Sequence, residues 1–200
     1  MINAIVLAAG ESKRMGIPKP LLRFGGTSFL GQIISILRGA DVDRITVVLG
    51  AQAQMVQESI DLSAVDVVVN EDYRRGQLSS LIGGLKIVPP QTDAILLCLA
   101  DNPLITSETV NRVVGAFRET GSPIVVPVFN GRRGHPALFA RPMFDELLNA
   151  PPEKGARHVV QSSEDKVFEV DVPEPGVLAR IDTPEDYFSH FGTAPRIIGS

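Results

Sequence analysis

AIVLAAGESKRMGIPKPLL, residues 4–22, joins two stretches that demand different structures. Its first six residues are apolar at every position, the pattern of a strand covered on both faces, as in a largely parallel sheet. From Gly10 to Pro20 the chain becomes a loop carrying three cations, Lys13, Arg14 and Lys19, and two prolines. A reversal of direction needs about four residues, so a loop this long, charged and stiff serves something other than turning.

The same alternation continues downstream. ITVVLG (45–50), VDVVVN (65–70) and AILLCLA (94–100) are further apolar runs of strand length. Between the first two strands Leu30, Ile33, Ile34 and Leu37 recur at helical spacing, with Gly39 as the stop. Val110, Val113, Val114 and Phe117 repeat that stripe behind the capping candidates Thr106 and Ser107, and Glu108 suits the positive end of the helix dipole. Alternating strands and helices predict an α/β fold: a Rossmann-like, open, mostly parallel sheet with helices on both faces and ligands gathered at the carboxyl ends of the strands. After residue 122 the pattern shortens. IVVPVF (124–129), ALFA (137–140) and VFEVDV (167–172), with small helices near 142–149 and 154–163, predict a small α+β annex continuing the sheet. PEPGV (173–177) reads as a surface loop and Leu178–Ile181 as a short strand. Residues 1–192 then form a single domain, and TAPRIIGS (193–200), which lacks periodicity, is a mobile or docking tail.

Composition narrows the class of function. The 200 residues are 44% hydrophobic and 21% charged, which is ordinary globular composition. A net charge of −4 argues against a nucleic acid as partner. The single Cys98, inside an apolar run, excludes an internal disulfide and reads as a core residue. MINAIVLAAG lacks a basic leader and no run of about 20 apolar residues occurs, so no membrane association is expected and the cytoplasm is the expected compartment.

The long loop leaves the carboxyl end of the first strand. Gly10 and Gly16 let the backbone approach an anion, and successive N–H groups in such a turn form a nest for phosphate oxygens. Arg14 and Lys19 add full charge, and Pro18 and Pro20 hold Lys19 extended. Neither GxxxxGK[ST] nor GxGxxG is present. A solvated connection with ordinary basic residues is the competing reading. CLADNP (98–103) delivers Asp101 to the same sheet edge, and a carboxylate together with phosphates is how Mg²⁺ is usually held. Two roles are open to Asp182 in RIDTPEDY (180–187): metal ligand, or cap of the helix begun by Pro184. In RRGQLSSLIGGL (74–85), Gly76, Gln77, Ser79 and Ser80 precede a helix whose free N–H groups could read a ribose or base edge, or could be a plain helix start. His135 in GRRGHPALF (131–139) is a structural or a functional residue, and Arg132, Arg133 and Arg157 lie in the same region.

Taken in order, LAAGESKRMGIPKPLL, GQLSSL, LADNP, GHP and IDTPEDY resemble the molybdenum-cofactor nucleotidyltransferases, within the large Rossmann-like nucleotidyltransferase group. The resemblance runs from residue 4 to about 191. It implies a fold of the nucleotide-diphospho-sugar transferase type. It further implies that Leu7, Ala8, Ala9, Gly10, Arg14 and Lys19, with Gly76, Gln77, Ser79 and Ser80, bind the nucleoside triphosphate. Arg14, Lys19 and Asp101 are then catalytic, Asp101 and Asp182 hold Mg²⁺, and His135 stands on the acceptor side. Ala9 is similar to the cytidylyltransferase branch, since the guanylyltransferase branch carries glycine there and a methyl crowds a purine more than a pyrimidine, worth about 1–3 kcal/mol. CTP, ahead of another nucleoside triphosphate, is the implied donor. Molybdopterin or another phosphorylated small molecule is the implied acceptor, and a molybdenum hydroxylase is a possible downstream partner. Two further readings are a non-catalytic nucleotide-binding accessory protein for such a hydroxylase and a transferase acting on a sugar phosphate.

Overall fold

The computed structural model describes residues 1–152 and 154–199. Strand β1 (Ile2–Ala8) is buried at all seven positions. Its period of two divides the core: Ala4, Val6 and Ala8 face one hydrophobic layer, Ile5 and Leu7 the other. Beyond the loop come a 3-10 turn, Lys19–Leu21, and a short hairpin, β2 (Arg23–Phe24) and β3 (Thr27–Ser28). Helix α1 (Phe29–Arg38) starts where Ser28 Oγ accepts from Gly31 N at 3.0 Å, and its apolar stripe lies on the first layer.

Strands β4 (Arg44–Leu49) and β5 (Asp66–Val69), linked by α2 (Ala53–Ser59), step outward from β1, each parallel to the last. Helix α3 (Gln77–Leu85) then returns the chain across the sheet to β6 (Ala94–Leu99), which pairs in parallel with the opposite edge of β1. The order continues through α4 (Ser107–Thr120), β7 (Ile124–Phe129), β8 (Arg132–Arg133), β9 (Ala137–Ala140), α5 (Phe144–Asn149), α6 (Gly155–Ser162), β10 (Val167–Asp171) and α7 (Pro184–Phe191). The sheet reads β10-β7-β9-β6-β1-β4-β5, with β8 paired to β7. Only β8 and β9, among the described strands of this sheet, run against the rest. Helices α1, α2 and α4 cover one face and α3, α5 and α6 the other. The annex therefore continues the same sheet, as its short apolar runs imply. No helix of the described residues is long and apolar enough to cross a membrane.

This topology fixes where a ligand binds. After β1 the chain moves toward β4, and after β6 it moves the other way, toward β7. The loops following these two adjacent strands separate, and an open α/β sheet offers its crevice at such a switch point. Residues 9–20 and 100–103 form its two lips.

Two expectations for residues 173–181 fail. Pro175–Leu178 form a 3-10 turn in place of a loop and strand, and Gly176 and Val177 are buried. The cause is close backbone contact on two sides. A Cβ on Gly176 would lie 2.0 Å from Leu104 O, and one on Gly134 would lie 2.4 Å from Val177 O. No side chain fits between these segments, and alternation of apolar residues does not encode that crossing. The tail is docked on its own chain: Arg23 N donates to Arg196 O (2.8 Å), Ile198 N to Leu21 O (2.9 Å), and Ile197 bridges antiparallel to Leu22. Cys98 is buried in the first layer, and burial pushes its thiol pKa upward, consistent with a core residue.

Candidate active site

At the switch point lies an open cavity of about 420 Å³. Leu7, Ala8, Ala9, Gly10, Arg14 and Lys19 line it from the β1 side, Gly76, Gln77 and Ser80 from the start of α3, and Asp101 and Asp182 from the opposite lip. The structure thus brings together the residues drawn from four separate motifs.

The loop is compact because Ser12 organises it. Ser12 takes a left-handed φ of 54°, its carbonyl accepts from Met15 N and Gly16 N (both 3.0 Å), and its Oγ accepts from Lys19 N (3.0 Å). Gly16, at φ 79°, closes this turn in a conformation other residues rarely adopt. Among the described residues these bonds leave the N–H groups of residues 10–14 open to an anion. A Cβ on Gly10 would meet nothing within 4 Å, so the space its missing side chain leaves belongs to the cavity. Ser12 lies inside the LAAGESKRMGIPKPLL stretch, but sequence reasoning gives it no role of its own.

Three ionic side chains form the centre. Lys19 Nζ donates to Asp101 Oδ2 (3.1 Å) and to Asp182 Oδ1. Each of the three side chains is only 15% exposed, so solvent screens them little. Arg14 reaches Asp182 Oδ2 (3.0 Å), and Arg180, another residue that sequence reasoning did not single out, lies 3.6 Å from both carboxylates. Both arginines are at the exposed mouth, where pairing contributes less. Burial alone would raise the Asp182 pKa, but the Lys19 ammonium, with Arg180 and Arg14 behind it, holds it below the ordinary carboxylate value. A carboxylate depressed on folding stabilises the native state above its unfolded pKa, and that contribution is lost as pH falls through the folded value. Asp182→Asn is therefore expected to be less stable than the parent at neutral pH, with the gap narrowing as pH drops below about 4. Urea midpoints across acid pH measure this; a constant gap would contradict it.

The capping alternative for Asp182 fails. Thr183 is the N-cap of α7, its Oγ1 accepting from Asp186 N (3.1 Å) while Asp186 Oδ2 accepts from Thr183 N (2.8 Å). This capping box leaves the Asp182 carboxylate to the cavity. The segment is tied to the other carboxylate by Ile181 N, which donates to Asp101 O (3.1 Å). The Asn102 amide, oriented to donate, bonds Gly176 O (2.8 Å) and Ala179 O (3.0 Å). The asparagine of LADNP thus places the second carboxylate, a role hidden until the 3-10 turn is seen. Gly176→Ala would force Leu104 away and is expected to cost about 1–3 kcal/mol of stability, with Asp182 displaced. A lowered denaturation midpoint measures it.

Other sites divide. Ser80 faces the cavity, but Ser79 does not: its Oγ donates to Gly76 O (2.8 Å) and Asp72 O (3.1 Å) and accepts from Asn70 Nδ2 (2.9 Å), which shapes the turn before α3. Adjacent helical residues point about 100° apart, which turns Ser80 toward the cavity and Ser79 to its rim. His135 lies off the nucleotide cavity, two residues before the Leu97–Ala137 pair and on the same sheet edge. Its N–H donates to Val177 O (2.9 Å) and its peptide to Pro136 is cis. Burial lowers its imidazole pKa, partly offset by the Gly134 backbone and Asp101. Arg133 is engaged by Glu164 and Glu169 and ties β8 to its neighbours.

A divalent cation fits this centre. Asp101 Oδ1 is buried and has no partner. One further oxygen of each acid, Asp101 Oδ2 and Asp182 Oδ1, converges on the Lys19 ammonium. Among the described residues no three His, Cys, Asp or Glu side chains cluster to hold a metal alone. Two carboxylates completed by substrate phosphates and water are what Mg²⁺ typically takes.

Comparison with known proteins agrees with this geometry. Residues 4–167 match the MobA-like NTP transferase domain. The molybdenum cofactor cytidylyltransferase of Escherichia coli (strain K12) is 28% identical over 190 residues, covering 94% of each chain. The nicotine blue oxidoreductase of Paenarthrobacter nicotinovorans is 27% identical over 201 residues, covering 94% of this chain and 95% of that one. The Rv0371c protein of Mycobacterium tuberculosis H37Rv, in a crystal structure of its complex with manganese, superposes with a TM-score of 0.84 at 33% identity, covering 96% and 98% of the two chains.

Proposed function

Because this chain belongs to the family of MobA-like NTP transferase domains, and is a nucleotidyltransferase, we propose that it is a Mg²⁺-dependent cytidylyltransferase that joins CTP to molybdopterin and releases pyrophosphate. The observation that carries the reading is the convergence of Lys19, Asp101 and Asp182 in a cavity lined also by Ala8, Ala9 and Gly10. The cytidylyltransferase relative, matched over nearly its whole length, supports the choice of donor and acceptor. The manganese complex of the Mycobacterium tuberculosis protein supports a divalent cation.

In this reading a phosphate oxygen of the acceptor attacks the α-phosphorus of CTP in line. The new O–Pα bond forms as the bond from Pα to the bridging oxygen breaks, and pyrophosphate leaves with the electron pair. The acceptor phosphate is already an anion, so no general base is needed. The N–H groups of residues 10–14 and the side chains of Arg14 and Lys19 hold the triphosphate and neutralise charge growing on the leaving group. Asp101 and Asp182 would hold the divalent cation, which when bound supplies charge neutralisation at the phosphates. Gly76, Gln77 and Ser80 contact the nucleoside, and His135 lies on the acceptor side.

The test crosses each of the four nucleoside triphosphates with molybdopterin and with sugar phosphates, scoring products by mass. A cytidylylated molybdopterin with one pyrophosphate released is expected. Product from sugar phosphates alone would remove the acceptor assignment while leaving the chemistry.

A further inference from the structure

We infer that the Lys19 ammonium occupies the metal position before substrate arrives, holding Asp101 and Asp182 together, and that it moves onto the triphosphate before a divalent cation can bind. The inference rests on the nucleotidyltransferase reading and adds an order of events to it.

Two carboxylates that share one point repel each other unless a cation lies between them. Here that cation belongs to the protein: Nζ of Lys19 bonds one oxygen of each acid, in surroundings that solvent barely reaches. Arg14 and Arg180 take the remaining oxygen of Asp182, so Asp101 Oδ1 alone lacks a partner. The cluster holds three cations against two carboxylates. A free divalent ion entering it meets net positive charge at short range and must displace the ammonium with nothing to receive it.

A triphosphate reverses that balance. It carries several negative charges, gives Lys19 and Arg14 stronger partners, and brings phosphate oxygens that complete an octahedron around the metal. The backbone of Lys19 is fixed by Pro18 and Pro20, by Ser12 Oγ, and by the docked tail behind Leu21. Its flexible four-carbon stem can nonetheless carry the charge from the carboxylates to the phosphates. The same residue therefore keeps the acids in place when no substrate is bound and contacts the leaving group when it is. Metal enters together with the nucleotide, not ahead of it.

Binding of Mn²⁺, followed by loss of the free-ion electron paramagnetic resonance signal, decides this without any turnover. The full-length parent is compared with Lys19→Met, Lys19→Arg and Lys13→Met, first without nucleotide and then with CTP. Lys13 lines the same cavity but pairs with Glu11 and touches neither carboxylate, so its removal controls for charge alone. The parent is expected to leave Mn²⁺ free until CTP is added. Lys19→Met should bind Mn²⁺ alone at least about tenfold more tightly, while Lys19→Arg and Lys13→Met stay at the parent level. Circular dichroism confirms folding, and Lys19→Gln, neutral but still polar, replaces the methionine variant if that one is unfolded. No gain in the neutral Lys19 variants overturns the inference, as does an equal gain in Lys13→Met. Tight binding of Mn²⁺ to the parent without nucleotide overturns it too, while leaving the nucleotidyltransferase reading intact. Failure of the parent to take up Mn²⁺ even with CTP overturns the site reading itself, and the inference with it.

Discussion

Asp101→Ala is expected to lower the rate of nucleotidyl transfer by about 10³-fold or more, and raising the concentration of Mg²⁺ or Mn²⁺ should not restore it. Asp101 lies two residues beyond the end of the buried strand β6, beside β1, and no neighbour can replace it, since Ala100 carries no carboxylate and the Asn102 amide is committed to the 175–179 turn. Its Oδ1 is the one carboxylate oxygen at the centre with no partner, a state that costs free energy in the resting protein and signals a ligand yet to come. Alanine removes both oxygens, leaving Asp182 as the single acid facing the phosphates. Lys19 keeps its bond to Asp182 in the variant, so the fold should survive and the melting temperature should change little. Pyrophosphate release measured across a range of metal concentrations tests this. A variant that turns over at near parental rates would show that the reacting phosphates lie elsewhere.

Lys19→Ala is expected to cost about 3–4 kcal/mol of transition-state stabilisation, a loss of roughly 10²- to 10³-fold in kcat. The ammonium is held at the base of the cavity with little exposure, where a charge is worth more than in open solvent. Charge on the pyrophosphate grows during the reaction, so the loss should fall on kcat more than on KM for the nucleotide. Lys19→Arg should rescue only partly: the planar guanidinium keeps the charge but not the compact geometry that lets one nitrogen bond both Asp101 and Asp182. Steady-state kinetics on both variants check this. A rise in KM with unchanged kcat would reduce Lys19 to a binding contact.

The central strands were legible because a strand covered on both faces must be largely apolar, and β1, β4 and β6 are, the buried Asn3 and Thr46 of β1 and β4 bonding to each other. Their order was legible only in outline. That β6 returns to the free edge of β1, and so creates the switch point, follows from pairing that no local pattern records. Among site residues, those at strand ends (Ala9, Gly10, Asp101) could be placed from the strands themselves. Residues held by contacts between distant segments could not. Ser12 acts through a turn, Asn102 through carbonyls more than seventy positions away, and Arg180 through the placement of its own 3-10 neighbour. Ser79 is the converse: beside the cavity-lining Ser80 it looks equivalent in sequence, yet its hydroxyl bonds local backbone.

The docked tail bears on how the protein is made. The sheet and helices α1–α6 precede residue 172, but Asp182 and the Arg196–Ile198 stretch that backs the Lys19 turn come after it. During synthesis, folding proceeds from the amino end. A chain can therefore bury its core before these residues are added, and the centre becomes complete only when they dock. A chain truncated before them should be folded yet inert, because Asp182 and the support behind the Lys19 turn are then both missing.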